Sequence, residues 1–273
     1  MLESLSSFDK SHRVYKSPPL VLTICQVRFA RVLSIADEAC VAPFQNAVRR
    51  QYPLVERPVE FEVALDMRPL NTETYVSRSS ATRNWRFADV NGTWAVVLGQ
   101  DFITLETRQY RGFDQFLERL SFVLHALVKH IAPELGLRIG LRYIDEIRTP
   151  SDDPRVAVMP ALLGALTQEE LFSHAARSVQ EIILQYPDRE GVMLRHGYFS
   201  SGTTVQPASP EKVPQGPFYL LDTDVFREFV PPDGLHMDVS SICRHVEEYH
   251  QAIYRVFRWA LQEDYVSSLG KAE

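Results

Sequence analysis

Two stretches of this chain are written twice, and a duplicated unit constrains the fold more than any other feature. Val27-Arg28-Phe29 lies in one apolar run and Leu141-Arg142-Tyr143 in another; Phe102-Ile103-Thr104-Leu105-Glu106-Thr107 is matched by Phe218-Tyr219-Leu220-Leu221-Asp222-Thr223. Arg142 follows Arg28 by 114 positions, and Asp222 follows Glu106 by 116. Two separate matches at nearly one spacing predict tandem units, each closing with a long amphipathic helix. The expected fold is α+β: two tandem strand–helix–antiparallel-sheet–helix units forming a continuous curved sheet with helices on one face. The boundaries are a flexible N-terminal tail at 1–18, a first unit at 19–135 and a second at 136–270. Laid on one another, the units should place Arg28 on Arg142 and Glu106 on Asp222.

The periodicities fill in the elements. Leu20 to Ala30 alternates, with Val21, Cys25, Val27 and Phe29 on one side and Ile24, Gln26 and Arg28 on the other, as in a strand with one more polar face. Asp37 is placed to cap a helix reaching about Tyr52, with Pro43 tolerated in its first turn. Val59 to Met67 reads as a strand. Asn91-Gly92 between Trp85–Val90 and Trp94–Leu98 predicts a tight hairpin, because both residues accept positive φ. A strand from Phe102 to Tyr110 follows. Phe113, Phe116, Leu117, Leu120, Val123, Leu124, Leu127, Val128 and Ile131 recur at spacings of three and four, the stripe of a helix lying on a sheet. The second unit opens with Leu137, Ile139, Leu141 and Tyr143 alternating with Arg138, Gly140 and Arg142. A helical piece around 168–176, a hairpin of Val179–Gln185 with Val192–Phe199, a strand from Phe218 and a helix from about Asp238 to Glu263 complete it. The Pro- and Gly-containing segment 201–217 reads as a mobile loop.

This order of elements resembles the repeat of the TATA-binding-protein-like fold, a likeness of fold that carries no DNA binding with it. Pro18-Pro19-Leu20, Gln26-Val27-Arg28-Phe29, Trp85-Arg86-Phe87, Asp101-Phe102 with Leu105-Glu106-Thr107, and Gly140-Leu141-Arg142-Tyr143-Ile144 together resemble a sporadically distributed prokaryotic family of uncharacterised proteins. The resemblance spans most of 15–264. It departs at Asp145-Glu146, where the family carries Asn followed by a basic residue. It implies no activity; a patchy distribution implies an accessory gene, in phage defence or a toxin–antitoxin setting.

Composition removes several classes. A formal charge of −6 gives no general attraction to nucleic acid or an anionic membrane. No apolar run approaches the roughly 20 residues of a membrane-spanning helix, and Met1–Lys10 has no apolar signal core. Cys25, Cys40 and Cys243 are far apart with no CxxC spacing, as in reduced structural thiols of a cytoplasmic protein. There is no GxGxxG, no Walker lysine and no GxSxG. His245 and His250 are about 140° apart around a helix, so they do not share a metal. No cofactor and no metal is expected.

The remaining signal is arginine and carboxylate. Arg28 and Arg142, with Gln26 and Arg138 beside them, point to the more polar side of their strands, and a pseudo-twofold would bring Glu106 near Arg28 and Asp222 near Arg142. Such bidentate pairs either fix strand register or form a polar surface that binds a ligand or partner. Arg86 among Trp85, Phe87, Trp94 and Tyr110 has the composition of a base-stacking patch, though on a hairpin under a helix the same residues serve as core. The expected role is a non-catalytic binding or regulatory protein with another protein as partner. The alternatives are a nucleic-acid module using the arginine face, disfavoured by the net charge, and a hydrolase or transferase with no recognisable motif.

Overall fold

A computed structural model describes residues 15–56, 84–205, 215–232 and 234–270. The chain opens with β1 (Leu20–Phe29), α1 (Glu38–Val48) and the short β2 (Leu54–Glu56). Then come β3 (Trp85–Ala88), β4 (Trp94–Leu98), β5 (Phe102–Thr107) and α2 (Phe113–His130). The second half runs β6 (Leu135–Ile147), α3 (Pro160–Leu163), α4 (Glu169–Phe172), β7 (Arg177–Gln185), β8 (Glu190–Phe199), β9 (Phe218–Glu228), β10 (Leu235–His236), α5 (Val239–Ala260) and α6 (Glu263–Ser268). The fold is α+β, and all ten described strands join one antiparallel sheet in the order β2-β3-β4-β5-β1-β6-β9-β8-β7, with β10 on the end of β6. From the central β1–β6 pair the order reads β5-β4-β3 on one side and β9-β8-β7 on the other.

Strand alternation divides the sheet into two faces. Cys25, Val27 and Phe29 of β1 and Ile139, Leu141 and Tyr143 of β6 share one buried cluster with Val41, Phe44 and Val48 of α1, Phe116, Leu120, Val123, Leu124 and Leu127 of α2, and Ile242, Val246, Tyr249, Ile253 and Phe257 of α5. The expected helix stripes therefore lie on one sheet face, and one core runs across both halves of the chain. Gln26, Arg28, Arg138 and Arg142 alternate onto the other, open face, as the cross-strand pairs Gln26–Gly140 and Arg28–Arg138 require.

Several expectations are corrected. The 91–92 turn is wider than a two-residue hairpin: β3 stops at Ala88, because the Asp89 carboxylate accepts from Thr93 N (2.7 Å), Thr93 Oγ1 (2.9 Å) and Trp94 N (3.1 Å). Gly92 still supplies the positive φ, at 65°. The helix capped by Asp37, whose Oδ1 accepts from Ala39 N, ends at Val48, and the strand begun at Phe102 ends at Thr107. Of the helical piece expected around 168–176 only the single turn α4 forms, preceded by the single turn α3 and a 3-10 turn that begins at Gly164 (φ 54°). The closing helix stops at Ala260 because Leu261 is extended, and α6 follows. The strand expected at Val59–Met67 lies outside the described residues.

The two expected coincidences do not hold together. Arg28 lies opposite Phe102, whereas Arg142 lies opposite Asp224. Laying Arg28 on Arg142 therefore carries Glu106 onto Glu228, not onto Asp222. The matched residues do occupy corresponding strands about the centre, but the near-equal spacing of 114 and 116 is not a common register.

Candidate functional site: the open face of the sheet

Down the open face, residues of neighbouring strands line up by register: Arg86 of β3 with Val97 of β4, Val97 with Thr104 of β5, Thr104 with Gln26 of β1, and Gln26 with Gly140 of β6. Arg142, Asp224 and Met193 form another such row, and Asp222, Arg195 and Glu181 a third. Among the described residues no helix covers this side of the sheet.

Five arginines on this face are each bonded to a carboxylate. Arg142 is bidentate on Asp222, Nε to Oδ1 at 2.7 Å and a terminal nitrogen to Oδ2 at 2.6 Å. Arg138 donates to Asp224 Oδ2 at 2.8 Å and stacks over the Phe226 ring at 4.7 Å. Arg195 donates through two nitrogens to Glu181, Arg86 to Glu106, and Arg28 to Asp101 at 3.3 Å. Glu106 also accepts from Arg108. Gln26 Nε2 donates to Thr104 Oγ1. Charge and burial act together here. Burial alone would lower the Arg142 guanidinium, but its bonds to Asp222 and the nearby Asp224 and Glu181 charges raise it above its ordinary value. Burial pushes the Asp224 carboxyl up, against the pull of Arg138 and Arg142.

The expected Arg142–Asp222 pair is therefore present, and the expected Arg28–Glu106 pair is not. Glu106 lies opposite Ile24, four residues and about 13 Å along β1 from Arg28. Arg28 turns to Asp101 in the preceding turn, and Glu106 takes Arg86. Nor do Arg86 and its aromatic neighbours make a stacking patch. Trp85, Phe87 and Trp94 alternate to the helix-covered side, where Trp85 Nε1 donates to Ile35 O (2.7 Å) and Arg119 stacks on Trp94.

At its other end the open face is closed by chain. Leu22, Ile144, Phe218 and Leu220 form a second apolar cluster beneath Val205, with Phe199 and Phe218 stacked at 5.0 Å. The buried Glu146 carboxylate clasps the covering segment: one oxygen accepts from Thr203 Oγ1 (2.6 Å), Thr204 N (2.7 Å) and Thr204 Oγ1 (2.8 Å), the other from Arg148 (2.8 Å). Burial would raise this carboxyl, but the Thr203, Arg148 and Thr204 bonds hold it below the usual range. Arg148 also donates to Gly202 O and Gly216 O and stacks on Phe218. Both described ends of the segment expected to be mobile, 201–205 and 215–217, are thus tied down; 206–214 lies outside the described residues.

Sequence reasoning missed Asp101, Asp224, Arg195, Glu181 and the Glu146 clasp. Asp222 and Asp224, two apart in an apolar strand, were a usable signal, because that spacing puts both carboxylates on one face. Next to Glu146, Asp145 points to the helix-covered side opposite Leu221. Burial, with the Asp222 charge added, pushes its carboxyl up to about 8. Two histidines tie the core. Tyr219 OH donates to Leu162 O and so accepts from His196 Nδ1 at 2.7 Å. Tyr143 OH donates to Tyr110 OH and meets His250 Nδ1 at 2.9 Å. Among the described residues no group of three His, Cys, Asp or Glu could hold a metal ion, and no helix is long and apolar enough to cross a membrane. No family model matches this chain, and no curated protein matches it.

Proposed function

We propose that this is a cytoplasmic binding protein, without catalysis of its own, that docks another protein across the open face of the sheet. The observation carrying the reading is the pairing of Arg28, Arg86, Arg138, Arg142 and Arg195 with carboxylates, Glu106 serving Arg108 as well as Arg86. Phosphate would have to displace those carboxylates. A protein surface of alternating polarity instead fits a face whose arginines already lie on carboxylates and which carries the rings of Phe102 and Phe226 among them.

The test uses Arg28, whose side chain is 51% exposed, and its neighbour Gln26. A protein retained by the wild-type chain should be lost by Arg28→Glu with Gln26→Glu at unchanged thermal stability. Equal retention would sink the proposal. A parallel titration with DNA and RNA should give no salt-sensitive binding at physiological ionic strength. Sub-micromolar affinity that collapses with moderate salt, and vanishes in Arg138→Ala with Arg142→Ala, would put nucleic acid in the partner's place.

A further inference from the structure

We propose that the chain self-associates by antiparallel pairing of β7 with β7 of a second copy, about a twofold axis at Ile183. β7 ends the described sheet, with β8 as its neighbour on the inner side. Its nine residues pair with β8 without a bulge, from Arg177 opposite Phe199 to Gln185 opposite Gly191. An edge that must stay single is commonly protected by lysine, proline, a bulge or an unpaired charge. β7, Arg-Ser-Val-Gln-Glu-Ile-Ile-Leu-Gln, has no lysine, proline or bulge, and its carboxylate, Glu181, is already held by Arg195. It instead exposes three consecutive large aliphatic residues: Ile182 at 41%, Ile183 at 55% and Leu184 at 39%. At the other end of the described sheet stands β2, of which Leu54–Glu56 are described.

The apolar triplet matches itself. Antiparallel pairing centred on Ile183 sets that side chain against its own copy on the open side of the sheet. On the other side it sets Ile182 against Leu184 and Leu184 against Ile182, and it places Glu181 against Gln185. Centring on Glu181 would oppose two like carboxylates, and centring on Ile182 would set Glu181 against Ile183 and Leu184 against Gln180. Cross-strand aliphatic pairs stabilise and like charges do not, so of these three registers the one centred on Ile183 is favoured. Because an isologous contact uses up the same edge on both copies, the assembly closes at two chains. The twofold axis runs through the sheet, so both open faces look the same way.

Sedimentation velocity of the full chain over a wide concentration range tests this. The wild type should be a dimer. Ile183→Lys, which sets two ammonium groups on the axis, should sediment as a monomer at the same concentrations with an unchanged circular dichroism spectrum. Ile183→Cys should form an intermolecular disulfide on mild oxidation, while Gln180→Cys and the wild type, with Cys25, Cys40 and Cys243 as background thiols, should not. A wild-type monomer throughout, a dimer indifferent to Ile183→Lys, or growth beyond the dimer would each overturn the proposal.

Discussion

The two faces of one sheet bury their residues by different means. On the helix-covered side, Cys25, Val27, Ile139 and Leu141 sit in an apolar cluster where close packing and exclusion of water supply the stability. On the open side, the intervening residues Arg138, Arg142, Asp222 and Asp224 are largely removed from water while carrying charge, because each cation lies on an anion. The same strands, read at odd and even positions, thus show two regimes. A packed face tolerates apolar substitution by degrees, whereas a paired face fails when one member of a pair is lost.

The sharpest test of this contrast is Arg142→Ala. It leaves the buried Asp222 without its bidentate partner and should cost about 3–5 kcal/mol in denaturant unfolding. Arg142→Met with Asp222→Leu should recover most of that loss. A single substitution costing no more than the double would show that the pair is not the element that matters. On the packed face, Leu124→Ala or Leu120→Ala should cost about 2–5 kcal/mol, with the larger value where the cavity closes least. A loss below about 0.5 kcal/mol would place the residue outside the core.

Asp145 crosses the boundary between the regimes, being a carboxyl on the packed side. Burial raises it from 3.8 to about 8, so the folded protein holds a proton that the unfolded chain has released. Its contribution to stability should therefore fall as pH rises between those two values. Asp145→Asn should remove that slope, leaving stability near pH 4 little changed and raising it at pH 8. An unchanged pH profile in the variant would show that Asp145 is not the group responsible. The smallest effect should come from Arg28→Ala: its pair with Asp101 is the most exposed on the open face, and its loss should change stability by no more than about 1 kcal/mol.

What could be read from the chain without coordinates was what depends on near neighbours. The alternation at 137–143, the three-and-four spacing at 113–131 and the capping Asp37 are local: the first two gave the right element on the right face, and the third a helix start. Register is not local. Whether Arg28 or Ile24 stands beside Glu106 depends on how the chain returns from β1 to β5, and residue spacing in the sequence does not record it. Asp101 became Arg28's partner because the turn before β5 brings it there. Glu146 holds Thr203 and Thr204, 57 and 58 positions away, so no pattern in either segment betrayed the clasp. The helical piece expected around 168–176 shrinks to the single turn Glu169–Phe172, which ends at Ser173.

The pairing on the open face also sets the pace at which anything can arrive there. Opposite charges held within hydrogen-bond distance act from afar as small dipoles, whose field decays well inside one Debye length, about 8 Å at physiological ionic strength. A partner would feel little pull until it nearly touched the sheet. It would associate at an unsteered rate of about 10⁵–10⁶ M⁻¹s⁻¹, almost indifferent to salt. Tight binding would then have to come from slow departure rather than rapid encounter.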